Sequence, residues 1–263
     1  MIGAVDDVPE LTFRTEAAEL EMLREELVAF VRETVAAADA DGVVVLVSGG
    51  VDSVLTAALC VESTLEGLGV DPTTVQLQPL VGVFEDTVAP KISTETDRLA
   101  VGNAVARLRM VVAYYAANAT GRLVCGTLNR TELLFGYHTK HGAAAADLRP
   151  IAGLYKTEVR ALARHVDVPT AVVERTPTAG LWAGQTDEAE LGAPYGLLDV
   201  LLHELVERDL GIAGTADSLG VDESFVARYA HRIVENRHKR EPAPSPNAEE
   251  SGAALFFELE GRV

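Results

Sequence analysis

Val43-Val-Val-Leu-Val47 runs directly into Ser48-Gly-Gly-Val-Asp-Ser53, and the reading of this stretch decides the fold. Five consecutive apolar residues, mostly β-branched and without alternation, fit a parallel strand covered on both faces. Gly49 and Gly50 let backbone N–H groups approach an anion closely, and a helix read over residues 54–65 adds the positive end of its dipole. Ser48 and Ser53 can donate hydroxyl hydrogen bonds to the same anion. Asp52 would repel a phosphate unless a cation stood between them, so it implies Mg²⁺. A bare Gly-Gly is more simply a βα turn with a capping serine, but the full string after a strand favours phosphate. The chain has no G-x-x-x-x-G-K-[ST], which excludes a Walker-type site.

Working outward, residues 16–38 carry Leu20, Leu23, Leu27, Phe30 and Val31 near helical spacing, and Asp41-Gly42 breaks that helix. Residues 75–83 are a second extended candidate. A long helix is read over 97–118, a short strand over 122–125 and a short helix over 129–135. A Gly- and Ala-rich loop spans 136–150 and a helix 155–166. Residues 177–185 read as loop, and 187–234 as helices with turns at 192–195 and 211–215. Alternating strands and helices predict an α/β fold, a parallel sheet flanked by helices. Residues 1–240 are read as one domain. Residues 241–263 are read as an acidic, proline-containing tail, expected to be mobile, that ends in a Leu255-Phe-Phe257 cluster.

The 263 residues include 40 Asp+Glu against 22 Lys+Arg, a net charge of −18, with 48% apolar residues and 5% aromatics. Such a field repels duplex DNA and anionic membranes. No apolar run approaches the roughly 20 residues of a spanning helix, and residues 1–10 lack the pattern of a secretory signal. The expectation is a cytoplasmic protein. Cys60 and Cys125, far apart in sequence and each in an apolar context, read as core residues rather than a disulfide or metal framework. Only Lys91, Lys140, Lys156 and Lys239 are lysines; the other cations are arginines. An acidic, lysine-poor composition suggests a high-salt cytoplasm.

Ser48-Gly-Gly-Val-Asp-Ser53 resembles the signature of the ATP pyrophosphatases, which cleave ATP between the α- and β-phosphates and pass AMP to an acceptor. The loop alone does not name that acceptor. A second constellation does: Cys125-Gly-Thr-Leu-Asn-Arg-Thr-Glu-Leu-Leu-Phe-Gly-Tyr-His-Thr-Lys-His-Gly142, then Asp147-Leu-Arg-Pro-Ile-Ala-Gly-Leu-Tyr-Lys156. It is similar to the NAD synthetase pattern G-T-x-N-x-[ST]-E-x-x-x-G-Y-x-T-K-x-G…D-x-x-P-I-x-G-L-x-K. Asn103-Ala-Val-Ala-Arg-Leu-Arg-Met110, the string from Thr176 to Gly192, and His238-Lys-Arg240 agree, so the likeness runs over most of 43–242.

The resemblance implies a Rossmann-like, adenine nucleotide α-hydrolase-like fold and an ammonia-dependent NAD synthetase. Such an enzyme adenylates the carboxylate of deamido-NAD with ATP, then forms the amide with ammonia, releasing AMP and pyrophosphate. It places Leu46, Val47, Ser48, Gly49, Gly50, Val51, Asp52, Ser53, Thr127, Lys156 and Thr178 on ATP. It places Arg107, Lys140, Asp147, His238 and Lys239 on deamido-NAD, with Asp52 and Glu132 on Mg²⁺. Lys156 and Asp147 would be catalytic, the lysine as a compact ammonium on phosphate oxygens and the aspartate orienting or deprotonating ammonium. Three of the four lysines fall inside matched strings. Without the resemblance, Arg107, Arg109 and His238-Lys-Arg240 would be solvated charges, Glu132 a helix-dipole acid, and Asp187 and Glu188 helix-opening residues. No role is assigned to His138 or His141.

Family members of this size resemble one another as homodimers, so a homodimer is expected. No glutaminase domain fits before residue 43, leaving free ammonia or a separate glutaminase as nitrogen source. Two departures stand out. Ala143 to Ala146 replace the family's usual Gly-Asp-Gly, and the chain is a few dozen residues short between Ser53 and Arg107. One strand–helix unit after the phosphate loop is therefore read as missing, and with it a wall beside the adenine. The rival functions are an impaired nucleotide-binding sensor and another AMP-forming amide ligase.

Overall fold

The computed structural model describes residues 13–64, 72–92, 97–180, 182 and 184–244. In chain order the elements are α1 (Ala17–Ala37), β1 (Val43–Val45), α2 (Val51–Ser63), α3 (Gln78–Val83), α4 (Ala89–Ile92), α5 (Arg98–Ala119), β2 (Leu123–Cys125), α6 (Arg130–Phe135), α7 (Lys156–His165), α8 (Thr170–Val173), α9 (Asp187–Leu191), α10 (Tyr195–Leu202), α11 (Gly211–Leu219) and α12 (Glu223–Glu235). A π-helical turn joins α3 to α4, another extends α10 through Glu207, and 3₁₀ turns lie at Pro150–Gly153 and Arg237–Lys239.

The anticipated parallel pairing is present. β1 and β2 run side by side with Val43 opposite Leu123 and Val45 opposite Cys125, and Leu148 bridges to Cys125 on the far side. Alternation sends Val43 and Val45 to one face, against Val31, Cys60 and Leu148, and Val44 to the other, against Ala113 and Ala117 of α5. Two larger cores flank this small sheet. One joins Leu20, Leu23 and Leu27 of α1 with Leu55 and Leu59 of α2 and Leu162 of α7. The other gathers Phe135, Leu198, Leu201, Leu202, Val226 and Tyr229 from α6, α10 and α12. Among the described residues no helix is long and apolar enough to cross a membrane.

Several expectations need correction. The strand ends at Val45 rather than Val47, and Leu46 (40% exposed) and Val47 (58%) are open to solvent; both faces of β1 are covered as expected, but its three residues are only partly buried. Among the described residues no strand pairs with its outer edge. Residues 78–83 are helical, not extended: Pro79 lies in the first turn, where its missing N–H costs nothing, and no neighbouring strand offers a ladder. Val28, not Phe30, completes the buried stripe of α1 with Leu20, Leu27 and Val31; Phe30 is 42% exposed. The turn expected at 211–215 is helix, because the chain reverses earlier, with Asp209 at positive φ and Leu210 N–H bonded to the Glu204 carbonyl. The short α8 is an addition to the reading. Most of the expected tail, including Leu255-Phe-Phe257, lies outside the described residues.

Candidate active site

β1 delivers the chain to the phosphate loop. Gly49 takes φ +81°, a left-handed conformation that glycine enters freely. The loop is closed by its serines: Ser48 N–H donates to Ser53 Oγ at 3.1 Å, and that hydroxyl donates to the Gly50 carbonyl at 2.9 Å. Gly50 N–H donates to Ser48 Oγ at 3.3 Å. α2 then starts at Val51, its thirteen residues pointing their N-terminus at the loop, with Asp52 in the first turn.

The other half of the site comes from α6 and α7. Lys156 is the first residue of α7, where a cation opposes the helix dipole, and it is only 2% exposed. Its ammonium lies 2.5 Å from Asp52 Oδ2, 3.4 Å from Glu132 Oε1 and 5.1 Å from the centre of the Tyr195 ring. Three segments separated by up to 104 positions thus converge on one nitrogen.

Burial alone would push the Lys156 ammonium down, but Asp52 and Glu132 outweigh it and hold the pKa above its usual value. Burial pushes the Glu132 carboxyl up to about 8, with Asp52 and Asp187 adding to the rise and Lys156 opposing it. The cluster therefore crowds more carboxyl groups together than one ammonium can match, which is why Glu132 tends to hold its proton. That excess fits a further cation. Among the described residues no group of three or more Asp, Glu, His or Cys is placed to hold a metal alone. Two carboxylates beside a phosphate loop instead suit Mg²⁺, whose remaining ligands are waters and substrate phosphates.

Supporting side chains were missed in the sequence. Asn129 caps α6, accepting from Glu132 N–H at 2.9 Å, while its amide donates to Asp52 Oδ1 at 2.8 Å. Thr131 Oγ1 accepts from Lys156 N–H at 3.1 Å and donates to Asp199 Oδ1 at 2.6 Å. Asp199, fully buried on α10, also accepts from Thr157 N–H and Oγ1 at 2.8 and 2.7 Å. The first N–H groups of α7, orphaned in any helix, are thus satisfied by side chains. Asp187 does more than open α9. It is buried and accepts from Tyr137 and Tyr195 hydroxyls at 3.1 and 2.8 Å. The available signals were an acid isolated in the apolar run of residues 196–202 and an Asn three places before Glu132.

A second group forms beyond the end of α6. Arg107 Nε donates to the Lys140 carbonyl at 3.2 Å, and Lys140 Nζ donates to the His238 carbonyl at 2.6 Å. Lys239 Nζ donates to the carbonyls of Gly136 and His138 at 2.6 and 3.1 Å. Four residues assigned from the sequence to deamido-NAD, Arg107, Lys140, His238 and Lys239, are therefore laced together. Gly136 makes this possible: at φ +59° it lets Asn236 pack where a Cβ would come within 2.3 Å of the Asn236 Cβ. Asp147 belongs to a different neighbourhood. Its carboxylate accepts from Val124 N–H at 2.7 Å and from the Tyr114 hydroxyl at 3.2 Å, so it secures the edge of β2. Thr127 lies two residues past the end of β2, and Thr178 is exposed in the loop before α9, its hydroxyl accepting from Gly180 N–H.

With this geometry in hand, comparisons with known proteins settle the family. The family model described as NAD synthase matches residues 23–66 and 62–243. The chain belongs to the NAD synthase family. An NH₃-dependent NAD⁺ synthetase of Halobacterium salinarum is 38% identical over 271 positions, covering 93% of this chain and all of the relative. The Francisella tularensis structure described as NMN synthetase superposes with a TM-score of 0.73 at 29% identity, covering 87% of this chain and 98% of that one. The NH₃-dependent NAD synthetase of Campylobacter jejuni, in complex with nitrate, gives 0.69 at 25%, covering 87% and 99%. The family match comes in two pieces that meet at residues 62–66, and the Halobacterium alignment has more positions than the 263 residues of this chain. Gaps therefore open in this member of the family, and the two matched pieces meet at the end of α2 and the start of the short span that follows it.

Proposed function

We propose that this chain makes NAD from deamido-NAD, ATP and ammonia, releasing AMP and pyrophosphate. The observation that carries the reading is the buried Lys156 ammonium between Asp52 and Glu132, at the mouth of a phosphate loop in a member of this family. Ser48, Gly49, Gly50 and Ser53, with the α2 N-terminus, bind the phosphates. Leu46, Val47, Val51, Thr127 and Thr178 complete the ATP contacts. Asp52 and Glu132 would hold Mg²⁺, which when bound would neutralise charge on the pyrophosphate. Lys156 stabilises negative charge on the phosphate oxygens while the nicotinate carboxylate attacks the α-phosphorus and the bond to the β-phosphate breaks. Ammonia then attacks the adenylated carbonyl and AMP leaves. Arg107, Lys140, His238 and Lys239 orient deamido-NAD, and Asp147 orients the nitrogen donor. Free ammonia, or a separate glutaminase, supplies that donor, and the working form is a cytoplasmic homodimer.

One assay tests this reading: purified protein with ATP, Mg²⁺, ammonium and deamido-NAD, following NAD and pyrophosphate together. Equal amounts of both are expected. Tight deamido-NAD binding without product would make the chain a sensor, and pyrophosphate release only with another acid would make it a different amide ligase. Nicotinate mononucleotide belongs among the acids tried, given the resemblance to the Francisella structure.

A further inference from the structure

Cys60 and Cys125 are 65 positions apart in sequence, yet their sulfurs lie 3.7 Å from each other, both buried. Their places in the fold are consequential. Cys60 is on α2, two turns beyond Asp52, and Cys125 ends β2, directly before Gly126 and Thr127. The pair spans the two elements that carry the phosphate loop and the next stretch assigned to ATP. Cys60 also lines a cleft of about 350 Å³, together with Arg32, Val35, Val43, Ser63 and Thr64. Cys125 does not reach that cleft, so the two thiols differ in access.

We infer that Cys60 and Cys125 are a modification site, closing to a reversible disulfide that links α2 to β2 and weakens ATP binding. Hydrogen peroxide is small enough to use the cleft. The Cys60 sulfur attacks one peroxide oxygen, the O–O bond breaks, and Cys60 sulfenic acid and one water result. The Cys125 sulfur then attacks the Cys60 sulfur, the S–S bond forms, the S–O bond breaks, and a second water leaves. Two thiols have lost two electrons and two protons, and one peroxide has become two waters. Closure brings the sulfurs from 3.7 Å to about 2.05 Å. The rigid two turns between Cys60 and Asp52 carry that movement to the carboxylate facing Lys156. A small-molecule dithiol reverses the reaction.

The test treats the folded, full-length protein with hydrogen peroxide and reads intact mass, peptide map and ATP affinity by calorimetry. None of these needs turnover, so failure of the proposed function leaves them readable. A loss of two hydrogens, a cross-linked peptide joining residues 60 and 125, and about fivefold weaker ATP binding restored by the dithiol are expected. Cys60→Ala and Cys125→Ala should show neither the cross-link nor the change in affinity. Sulfinic acid on Cys60 with Cys125 still free, unmodified thiols, or a bond that leaves ATP affinity unchanged would each overturn the inference. If either variant fails to fold, the mass and peptide map of the parent protein decide.

Discussion

Lys156 occupies a position that helix energetics disfavour, the first residue of α7, and it is buried there with two carboxylates. Buried ion clusters are poor stabilisers, so this arrangement is better explained by chemistry than by folding. Lys156→Ala should lower kcat/KM for NAD formation by roughly 10²–10³, the scale of losing one preorganised charge at a transition state, with steady-state kinetics as the check. Asp199→Asn tests positioning. It removes an acceptor from Thr157 and turns an amide toward its N–H, so a loss of about 1–3 kcal/mol in thermal unfolding is expected. A fall in kcat larger than any rise in KM for ATP would separate misplacement of Lys156 from lost binding. At this scale Asp52 stood out from phosphate chemistry, whereas Glu132 and Lys156 stood out only through the strings that resemble a known family. Asn129, Thr131 and Asp199 were not, since each acts through a neighbour brought close only by folding.

Between elements, the legible parts were those whose signal is local. The β1–loop–α2 unit, α5 and α6 all sit within two or three residues of their sequence readings. Residues 75–83 misled because apolar runs suit either a strand or a helix, and the choice depends on whether a partner strand is present. The junction of α6 with the C-terminal 3₁₀ turn depends on Gly136. Gly136→Ala adds a Cβ against Asn236 at positive φ, and should cost about 1–3 kcal/mol. Calorimetry of that variant should show deamido-NAD binding weakened more than ATP binding. Glu204 offers a pH test away from the site. Burial would raise its pKa, but hydrogen bonds from Ser218, Arg208 and His203 outweigh that and hold it below the usual value. A depressed carboxyl stabilises the fold above its unfolded pKa, near 4.3, and that contribution is lost as pH falls through the folded value. Melting curves taken from pH 6 down to pH 3 should therefore fall less steeply for Glu204→Gln than for the parent protein.

The whole molecule is acidic, at −18 over 263 residues, and uses lysine sparingly. Self-repulsion of that size is screened by salt. The melting temperature is expected to rise between low and molar NaCl, and equal stability in both would contradict a high-salt adaptation. Chain length carried the remaining large-scale information. A gap after α2 was legible by counting, and so was the exposed strand edge it leaves: the outer edge of β1 has no partner among the described residues, and Leu46 and Val47 face solvent.

The lysine–carboxylate cluster has a consequence for the order of events. Because the ammonium already serves as counter-ion to Asp52 and Glu132, a lone divalent ion would have to compete with a tethered rival at 2.5 Å. On the proposed reading, nucleotide phosphates would remove that competition by giving the lysine new oxygens to face. Metal should therefore enter as a passenger of ATP, and its affinity for the protein by itself should be slight.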